Sequence, residues 1–167
     1  MKKKFLHKNP YFAVLLDKNY YEIRPKKLDV LIIPIINKNE FLIIKSKRRI
    51  LNKNVYDLPA GGVDNNETLL QAAKREFQEE TGVKLKKSNK FYKLGKFYQM
   101  PNRIKKKVTL FVVNIEKKQI DLNFNSDEIH SLKILTKKEL FNLIRTGLFI
   151  TAVPIAALFK YFLEKEI

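Results

Sequence analysis

The 167-residue chain contains no cysteine, only two histidines and no long apolar run. Without cysteine the protein forms no disulfide and offers no thiolate to a metal, so its fold does not depend on the redox state of its surroundings. No segment is long and apolar enough to span a bilayer, and no signal-peptide core follows the basic residues 2–4. We therefore expect a single soluble, cytoplasmic domain without a membrane partner, and the 45% apolar content is sufficient for a core.

Acidic residues are also scarce. Seventeen Asp and Glu stand against 34 Lys and Arg, which gives a formal net charge of +17. Such a charge attracts polyanions, including nucleic acid and phosphorylated metabolites. Only six of the basic residues are arginines and the lysines are spread along the chain, so biased codon usage explains the excess about as well as selected binding. The arginines are the more informative candidates for phosphate contacts, because a planar guanidinium matches a phosphate group.

Residues 66–81 have the pattern of an amphipathic helix. Asn65 or Asn66 suits its N-cap, and Gly82 suits the position that ends a helix. The apolar side chains recur every three or four residues and form one stripe, at Leu69, Leu70, Ala73 and Phe77.

Three of the scarce acids lie on one side of this predicted helix. Glu76 is three residues before Glu79 and four before Glu80, so the three side chains face the same way. Like charges at this spacing destabilise a helix, and a cation would compensate. Arg75 can pair with Glu79, while a divalent cation could bridge the other acids. Ligation by oxygen alone favours Mg²⁺, Mn²⁺ or Ca²⁺ over zinc. The alternative is a solvated acidic face held by salt bridges.

The segment around the helix follows the spacing G-x5-E-x7-R-E-φ-x-E-E-x-G-φ, in which φ is apolar. At background usage of roughly 5–10% per residue type, the seven identities coincide by chance about once in 10⁸ windows. The pattern resembles the Nudix box, the signature of the Nudix hydrolases. The identities are Gly61, Glu67, Arg75, Glu76, Glu79, Glu80 and Gly82, and Phe77 and Val83 fill the apolar positions.

The resemblance implies a metal-dependent pyrophosphohydrolase. Mg²⁺, or alternatively Mn²⁺, would be held by Glu76 and Glu80, with Glu79 and the Ala60 carbonyl completing the site. The other members of the box have supporting roles. Arg75 would orient Glu79, Gly61 and Gly62 would allow close approach to the backbone, Glu67 would support the loop–helix junction or reach the metal, and Gly82 would end the helix.

A base must also activate the attacking water. In similar pyrophosphatases the base is often a glutamate on a mobile loop well after the box. Glu128 is the preferred candidate here and Asp127 the second, since both precede the predicted strand at 130–135. Glu79 acting as the base is the other route.

The residues that flank the box resemble one branch of the family. Leu58–Gly61 and residues 144–158 look like the corresponding stretches of ADP-ribose and nucleoside-diphosphate-sugar pyrophosphatases, which implies a nucleotide-sugar substrate and a homodimer. The chain departs from this branch in the position of Pro101, in Lys105–Lys107 and in Thr151. The leading phosphate or ribose contacts are Arg48, Arg49 and Arg103, with Pro101 in the adjoining turn, and the aromatic candidates for stacking on the base are Tyr11, Phe12 and Tyr98.

The predicted elements form an α/β fold in which helices flank a mixed sheet, similar to the α/β/α sandwich of the Nudix fold. Residues 1–27 are expected to be an N-terminal β extension that could exchange between subunits, and residues 28–167 the hydrolase domain. Pro34 argues against a fully paired central strand. A hairpin is expected at 12–16 and 20–23, strands at 29–36, 40–46, 91–99, 107–115 and 130–135, and further helices at 137–146, capped by Thr136 and Glu139, and at 152–165.

Two other functions remain open at this point. The net charge of +17 favours an RNA 5′-pyrophosphohydrolase or a dinucleoside-polyphosphate hydrolase, although the Leu58–Gly61 stretch opposes it. A non-catalytic module that binds nucleotides or RNA is the third reading, although such a module has no need of three clustered acids.

Overall fold

The computed structural model describes residues 3–166. The described residues do not include Met1 and Lys2 of the predicted N-terminal extension or Ile167 of the predicted hydrolase domain. The strands are β1 (Lys4–Lys8), β2 (Phe12–Asp17), β3 (Tyr20–Pro25), β4 (Asp29–Asn37), β5 (Glu40–Arg48), β6 (Lys53–Asp57), β7 (Ala60–Gly62), β8 (Phe91–Tyr98), β9 (Lys107–Asn114) and β10 (Ile129–Thr136). The helices are α1 (Leu69–Thr81), α2 (Lys137–Arg145) and α3 (Ala152–Glu166).

A small antiparallel sheet of β1, β2 and β3 precedes the main body. The predicted hairpin of β2 and β3 is confirmed, whereas β1 is absent from the prediction because its side chains are exposed throughout and give no buried face. The outer edge of β3 bonds to the turn after β8. The Ile23 N–H donates to the Arg103 carbonyl (2.7 Å), and the Lys105 N–H donates to the Ile23 carbonyl (3.1 Å). Backbone hydrogen bonds therefore join the small sheet to the segment between β8 and β9.

The main sheet has the order β10-β5-β4-β9-β8, with β6 paired to β5 and β7 paired to β4. The pair β4–β9 is parallel and the other pairs are antiparallel, so the predicted mixed sheet is confirmed. The predicted strands are present with their ends moved by one or two residues. The prediction misses β6 and β7, because their polar and glycine-rich sequences lack an apolar alternation.

Pro34 lies in the central strand of this sheet and interrupts its pairing on one side. The Ile32 N–H donates to the Pro59 carbonyl (2.8 Å), and alternate residues of a strand bond in the same direction, so the nitrogen of Pro34 faces that side as well. There β4 pairs with β5 only through Ile35 and Asn37. The expectation that β4 is not fully paired is confirmed, although the strand is central.

Helices cover both faces of the sheet, which confirms the predicted α/β/α sandwich. On one face Ala72, Ala73 and Phe77 of α1 pack in an apolar cluster with residues of β4 and β5. On the other face Leu140 of α2 and Leu158 of α3 belong to a second cluster. Full burial of one large apolar side chain such as Phe77 contributes about 1.5–3 kcal/mol.

The start of α1 differs from the prediction. Its N-cap is Thr68, whose hydroxyl accepts the Gln71 N–H while the Gln71 side chain accepts the Thr68 N–H. Asn66 has φ 72°, a left-handed turn conformation unlike the extended N-cap, so the expectation of Asn65 or Asn66 is wrong. Gly82, with φ 66°, ends α1 as predicted. The predicted Thr136–Glu139 capping box opens α2. None of the helices in residues 3–166 has the length and apolarity needed to cross a membrane.

Candidate active site

Strand β7 and the last turns of α1 are joined at Glu80. The Ala60 N–H donates to Glu80 Oε2 (2.8 Å), which fixes the carboxylate against β7. Burial raises the pKa of Glu80 to about 8. The Ala60 hydrogen bond opposes this shift, whereas the charges of Glu76 and Asp57 add to it. Glu80 is therefore a desolvated acid in a corner with negative neighbours.

Glu76 fills the space beside Gly61. A Cβ atom on Gly61 would lie 2.0 Å from the carboxyl carbon of Glu76, which no real contact permits. Burial raises the pKa of Glu76 as well, and the neighbouring Arg75 counteracts part of this effect. In this structure the glycine of the box makes room for the carboxylate of Glu76.

Arg75 binds other members of the box. Its Nη2 and Nε donate to Glu67 (2.7 and 3.2 Å), and its Nη1 donates to Glu76 (2.7 Å) and Glu79 (3.0 Å). Nη2 also donates to the Gly62 carbonyl (2.8 Å). The hydrogen bonds to Glu67 are the main cause of the raised pKa of Arg75. All of these partners belong to the strand–helix unit, so Arg75 organises the acids.

The carboxylate oxygens of the box have the chemistry that a hard divalent cation prefers. Within residues 3–166, no group of three or more Asp, Glu or His side chains is placed to hold a metal ion. Glu79 is 58% exposed and bonded to Arg75, whereas Glu76 and Glu80 are desolvated next to the Gly61 backbone. A cation would lower the raised pKa values of these two acids. Mg²⁺ is usually held by one or two carboxylates together with substrate phosphates and water, so the residues fit that ion.

A cavity of about 680 Å³ opens next to this corner. We call it the site cavity. It lies between β7, the segment from the end of β8 to the start of β9, and the start of α3. An ion pair of Asp29 and Lys106 (2.6 Å) forms part of its wall. Its residues nearest the box are Arg48, Asp57, Ala60 and Gly61, and its aromatic residues are Phe97 and Tyr98.

The structure brings only some of the predicted substrate contacts to the site cavity. Arg48 lines it, but Arg49 is exposed in the turn that follows β5. Pro101 and Arg103 line a second cavity of about 460 Å³ against the small sheet, where Arg103 lies 4.4 Å from the ring of Tyr20.

The two loop acids and the remaining aromatic candidates also lie elsewhere. Asp127 and Glu128 line a third cavity, of about 550 Å³, which shares no lining residue with the site cavity. Tyr11 is 79% exposed, and Phe12 packs against His7. Of the three stacking candidates, Tyr98 is the one that lines the site cavity.

Sequence reasoning does not single out Asp57, which is 1% exposed and bonded to Arg48 in the wall of the site cavity. The available signal is an acid inside the short apolar stretch 55–58, where only a paired carboxylate is tolerated. The pair Asp29–Lys106 is also missed, because 77 positions separate its members in the sequence.

The chain is similar in sequence to several known proteins. The chain is 32% identical over 74 residues to the 8-oxo-dGTP diphosphatase of Buchnera aphidicola subsp. Schizaphis graminum. The aligned region covers 44% of this chain and 57% of that protein. It is 28% identical over 117 residues to the methanol dehydrogenase activator of Bacillus methanolicus, covering 70% of this chain and 62% of the relative. The chain thus spans less than two thirds of the length of these curated relatives.

The fold matches a solved structure over nearly its full length. The crystal structure of an ADP compounds hydrolase superposes with a TM-score of 0.69 at 19% identity, covering 99% of this chain and 96% of the other. The NUDIX domain model matches residues 25–155, which include the whole box and most of the site cavity. The chain therefore belongs to the Nudix family.

Proposed function

We propose that the protein is a Mg²⁺-dependent pyrophosphohydrolase of nucleoside diphosphate sugars, with ADP-ribose or a similar compound as substrate. The products would be a nucleoside monophosphate and a sugar phosphate. The observation that carries this proposal is the site cavity, which meets the box at Ala60 and Gly61 beside Glu76 and Glu80. A cavity of about 680 Å³ with aromatic walls suits a nucleotide-sized ligand.

In the proposed reaction Glu76, Glu80 and the Ala60 carbonyl would hold the cation. When bound, the cation supplies positive charge to the phosphate oxygens and lowers the pKa of the attacking water. Water oxygen attacks one phosphorus atom, its proton passes to a carboxylate base, and the bond from that phosphorus to the bridging oxygen breaks. The bridging oxygen leaves on the other phosphate. Arg48 binds a phosphate oxygen from the wall of the site cavity.

We assign the base to Glu79 ahead of Glu128. Glu79 is held by Arg75 on the same helix as Glu76 and Glu80, and its exposed carboxylate can reach water. Glu128 lies on the third cavity. The assignment rests on the position of Glu79 in the same helical turn as the two proposed cation ligands, since a base must lie within hydrogen-bonding reach of the proton that it removes.

We also propose that residues 1–27 form an extension that contributes to a homodimer. Within its described part, Tyr11 and Tyr21 are 79% and 56% exposed, and Phe5 is 61% exposed, which is a large apolar area for a small sheet. Sedimentation velocity of the wild type and of Tyr21→Lys tests this assembly. A wild type that sediments as a monomer at micromolar concentration contradicts it.

A second candidate substrate class is a nucleoside triphosphate or an RNA 5′-triphosphate. The net charge of +17 favours RNA, and one curated relative is named an 8-oxo-dGTP diphosphatase. The deciding experiment is a substrate panel with Mg²⁺ and Mn²⁺ that contains ADP-ribose, other nucleotide sugars, 8-oxo-dGTP, a dinucleoside polyphosphate and 5′-triphosphate RNA. Turnover of 5′-triphosphate RNA without turnover of any nucleotide sugar overturns the first proposal.

The Glu80→Gln variant separates an enzyme from a binding module. Glutamine still accepts the Ala60 N–H but cannot supply a charged ligand, so hydrolysis should collapse while the fold persists. If the protein only binds nucleotides, no member of the panel is hydrolysed, and nucleotide binding is the same in EDTA and in the variant.

A further inference from the structure

Arg48 and Asp57 form an ion pair in the wall of the site cavity. Strands β5 and β6 pair antiparallel, with Asp57 opposite Ile44 and Arg48 opposite Lys53. The two side chains therefore lie on the same face, and the Arg48 side chain reaches back along β5 to Asp57. Asp57 Oδ1 accepts the N–H of Leu58 (2.9 Å), and Oδ2 accepts a hydrogen bond from Arg48 Nη2. Both oxygens of this buried acid are therefore occupied by protein donors.

The two members of the pair are not equivalent. The side chain of Asp57 is 1% exposed, whereas that of Arg48 is 45% exposed. A buried carboxylate is costly unless a cation and hydrogen bonds compensate it, so Asp57 depends on Arg48. Among the described residues Asp57 is the only hydrogen-bonding partner of the Arg48 guanidinium. The remaining guanidinium N–H groups are free to bind a ligand in the site cavity.

A competing partner for Arg48 lies nearby. Glu80 is close enough for the charges of both Arg48 and Asp57 to act on it. Among the described residues, the hydrogen bond that Glu80 accepts comes from the Ala60 N–H. A guanidinium that turned to Glu80 would occupy the acid proposed to bind the cation, and it would no longer be available to phosphates in the site cavity.

We infer that Asp57 is a positioning residue that holds Arg48 toward the phosphates in the site cavity and away from Glu80. This inference rests on the proposed function, because it takes phosphate groups to bind beside Glu76 and Glu80. It adds a fixed arginine to the site and explains why an acid is buried in the wall of a cavity that receives anions.

A purely electrostatic role of Asp57 and a role in positioning Arg48 predict opposite effects of Asp57→Asn on the affinity for a phosphate ligand. Removing a negative charge near an anion site strengthens anion binding if charge alone matters. If Asp57 positions Arg48, the same substitution weakens binding, by roughly tenfold for one lost charge-assisted hydrogen bond. The probe is methylenediphosphonate, a pyrophosphate analogue with a P–C–P linkage that resists hydrolysis, and its affinity is measured by calorimetry in Mg²⁺.

Four further variants complete the test. Arg48→Ala should weaken probe binding about as much as Asp57→Asn, and the double variant should bind no more weakly than either single variant. Asp121→Asn is the matched control, because Asp121 is exposed and also accepts a backbone N–H, from Asn123 (2.9 Å). The Asp121→Asn variant should bind the probe with the affinity of the wild type. Asp57→Ser, which can still accept the Leu58 N–H, replaces Asp57→Asn if that variant does not fold.

Two results would overturn the inference. One is probe binding by Asp57→Asn that equals or exceeds that of the wild type. The other is additivity of the Asp57 and Arg48 substitutions. Because the probe carries no base and no sugar, its binding does not depend on which nucleotide is the substrate. The substrate panel can therefore contradict the proposed nucleotide sugar while these measurements still support the role of Asp57.

Discussion

The carboxylate of Glu76 occupies the volume that a side chain on Gly61 would need. The distance from a Cβ atom on Gly61 to the carboxyl carbon of Glu76 would be 2.0 Å. The first glycine of the box and the first acid of its helix are therefore one steric unit, formed where β7 meets α1.

Gly61→Ala should displace Glu76 and impair hydrolysis. Misplacing a reacting group by about 1 Å costs on the order of 100-fold in rate, and overpacking costs about 1–3 kcal/mol in the free energy of unfolding. Gly62→Ala is the matched control, because a Cβ atom there would lie 3.2 Å from the flexible Lys27 side chain, which can move. Steady-state kinetics of the two variants should differ widely. Equal rates would contradict the steric account.

Arg75→Ala should lower both stability and activity. It leaves Glu67 and Glu76, whose side chains are 15% and 14% exposed, without their cationic partner. We expect a loss of about 2–4 kcal/mol in the free energy of unfolding, measured with urea. Arg145→Ala on α2 loses one exposed hydrogen bond to Asn142 and should change stability by less than about 0.5 kcal/mol. If Arg75→Ala lowered the free energy of unfolding by as little as Arg145→Ala does, the acids would not need Arg75 for stability.

Comparison of Glu79→Gln with Glu128→Gln identifies the base. Removing a general base typically costs about 10²–10⁴ in rate. We expect that loss in kcat for Glu79→Gln and nearly unchanged kcat for Glu128→Gln, because Glu128 lies on a different cavity. A pH–rate profile should lose its acidic limb in the variant that lacks the base. If Glu128→Gln shows these effects, the loop before β10 must move to the site cavity during the reaction.

Glu22 should make the stability of the small sheet depend on pH in the acidic range. Hydrogen bonds from Arg24 and Lys3 lower its pKa from 4.5 to about 2. A lowered carboxyl pKa stabilises the fold above the unfolded value and loses that contribution as pH falls through the folded value. The Tm advantage of the wild type over Glu22→Gln should thus be full above pH 4.5 and vanish by about pH 2. Glu164→Gln on α3 controls for the general change in charge, and the same pH dependence there would refute the assignment.

Features with a local cause could be predicted from the sequence. The helix of the box, its end at Gly82 and the capping box at Thr136 depend on residues a few positions apart. The predicted N-cap of α1 is Asn65 or Asn66, but the backbone turn at Asn66 excludes that residue. The capping-box spacing of Thr68 and Gln71 is the local signal for the correct N-cap.

Features with a distant cause could not be predicted. The pairing of β6 with β5 places Asp57 and Arg48 on one face, where the arginine side chain reaches back to the acid. Arg103 faces Tyr20 only because the small sheet docks beside the turn after β8. The sequence names candidate arginines, but it does not tell which one reaches the cavity.

The backbone bonds between Ile23 and residues 103–105 give the small sheet an influence beyond its own position. The same stretch of chain supplies Met100, Ile104 and Lys106 to the wall of the site cavity. An antibody or designed binder that binds the small sheet would therefore affect the position of that wall without entering the cavity. Such binding to the N-terminal strands is expected to change the KM without competition at the cavity.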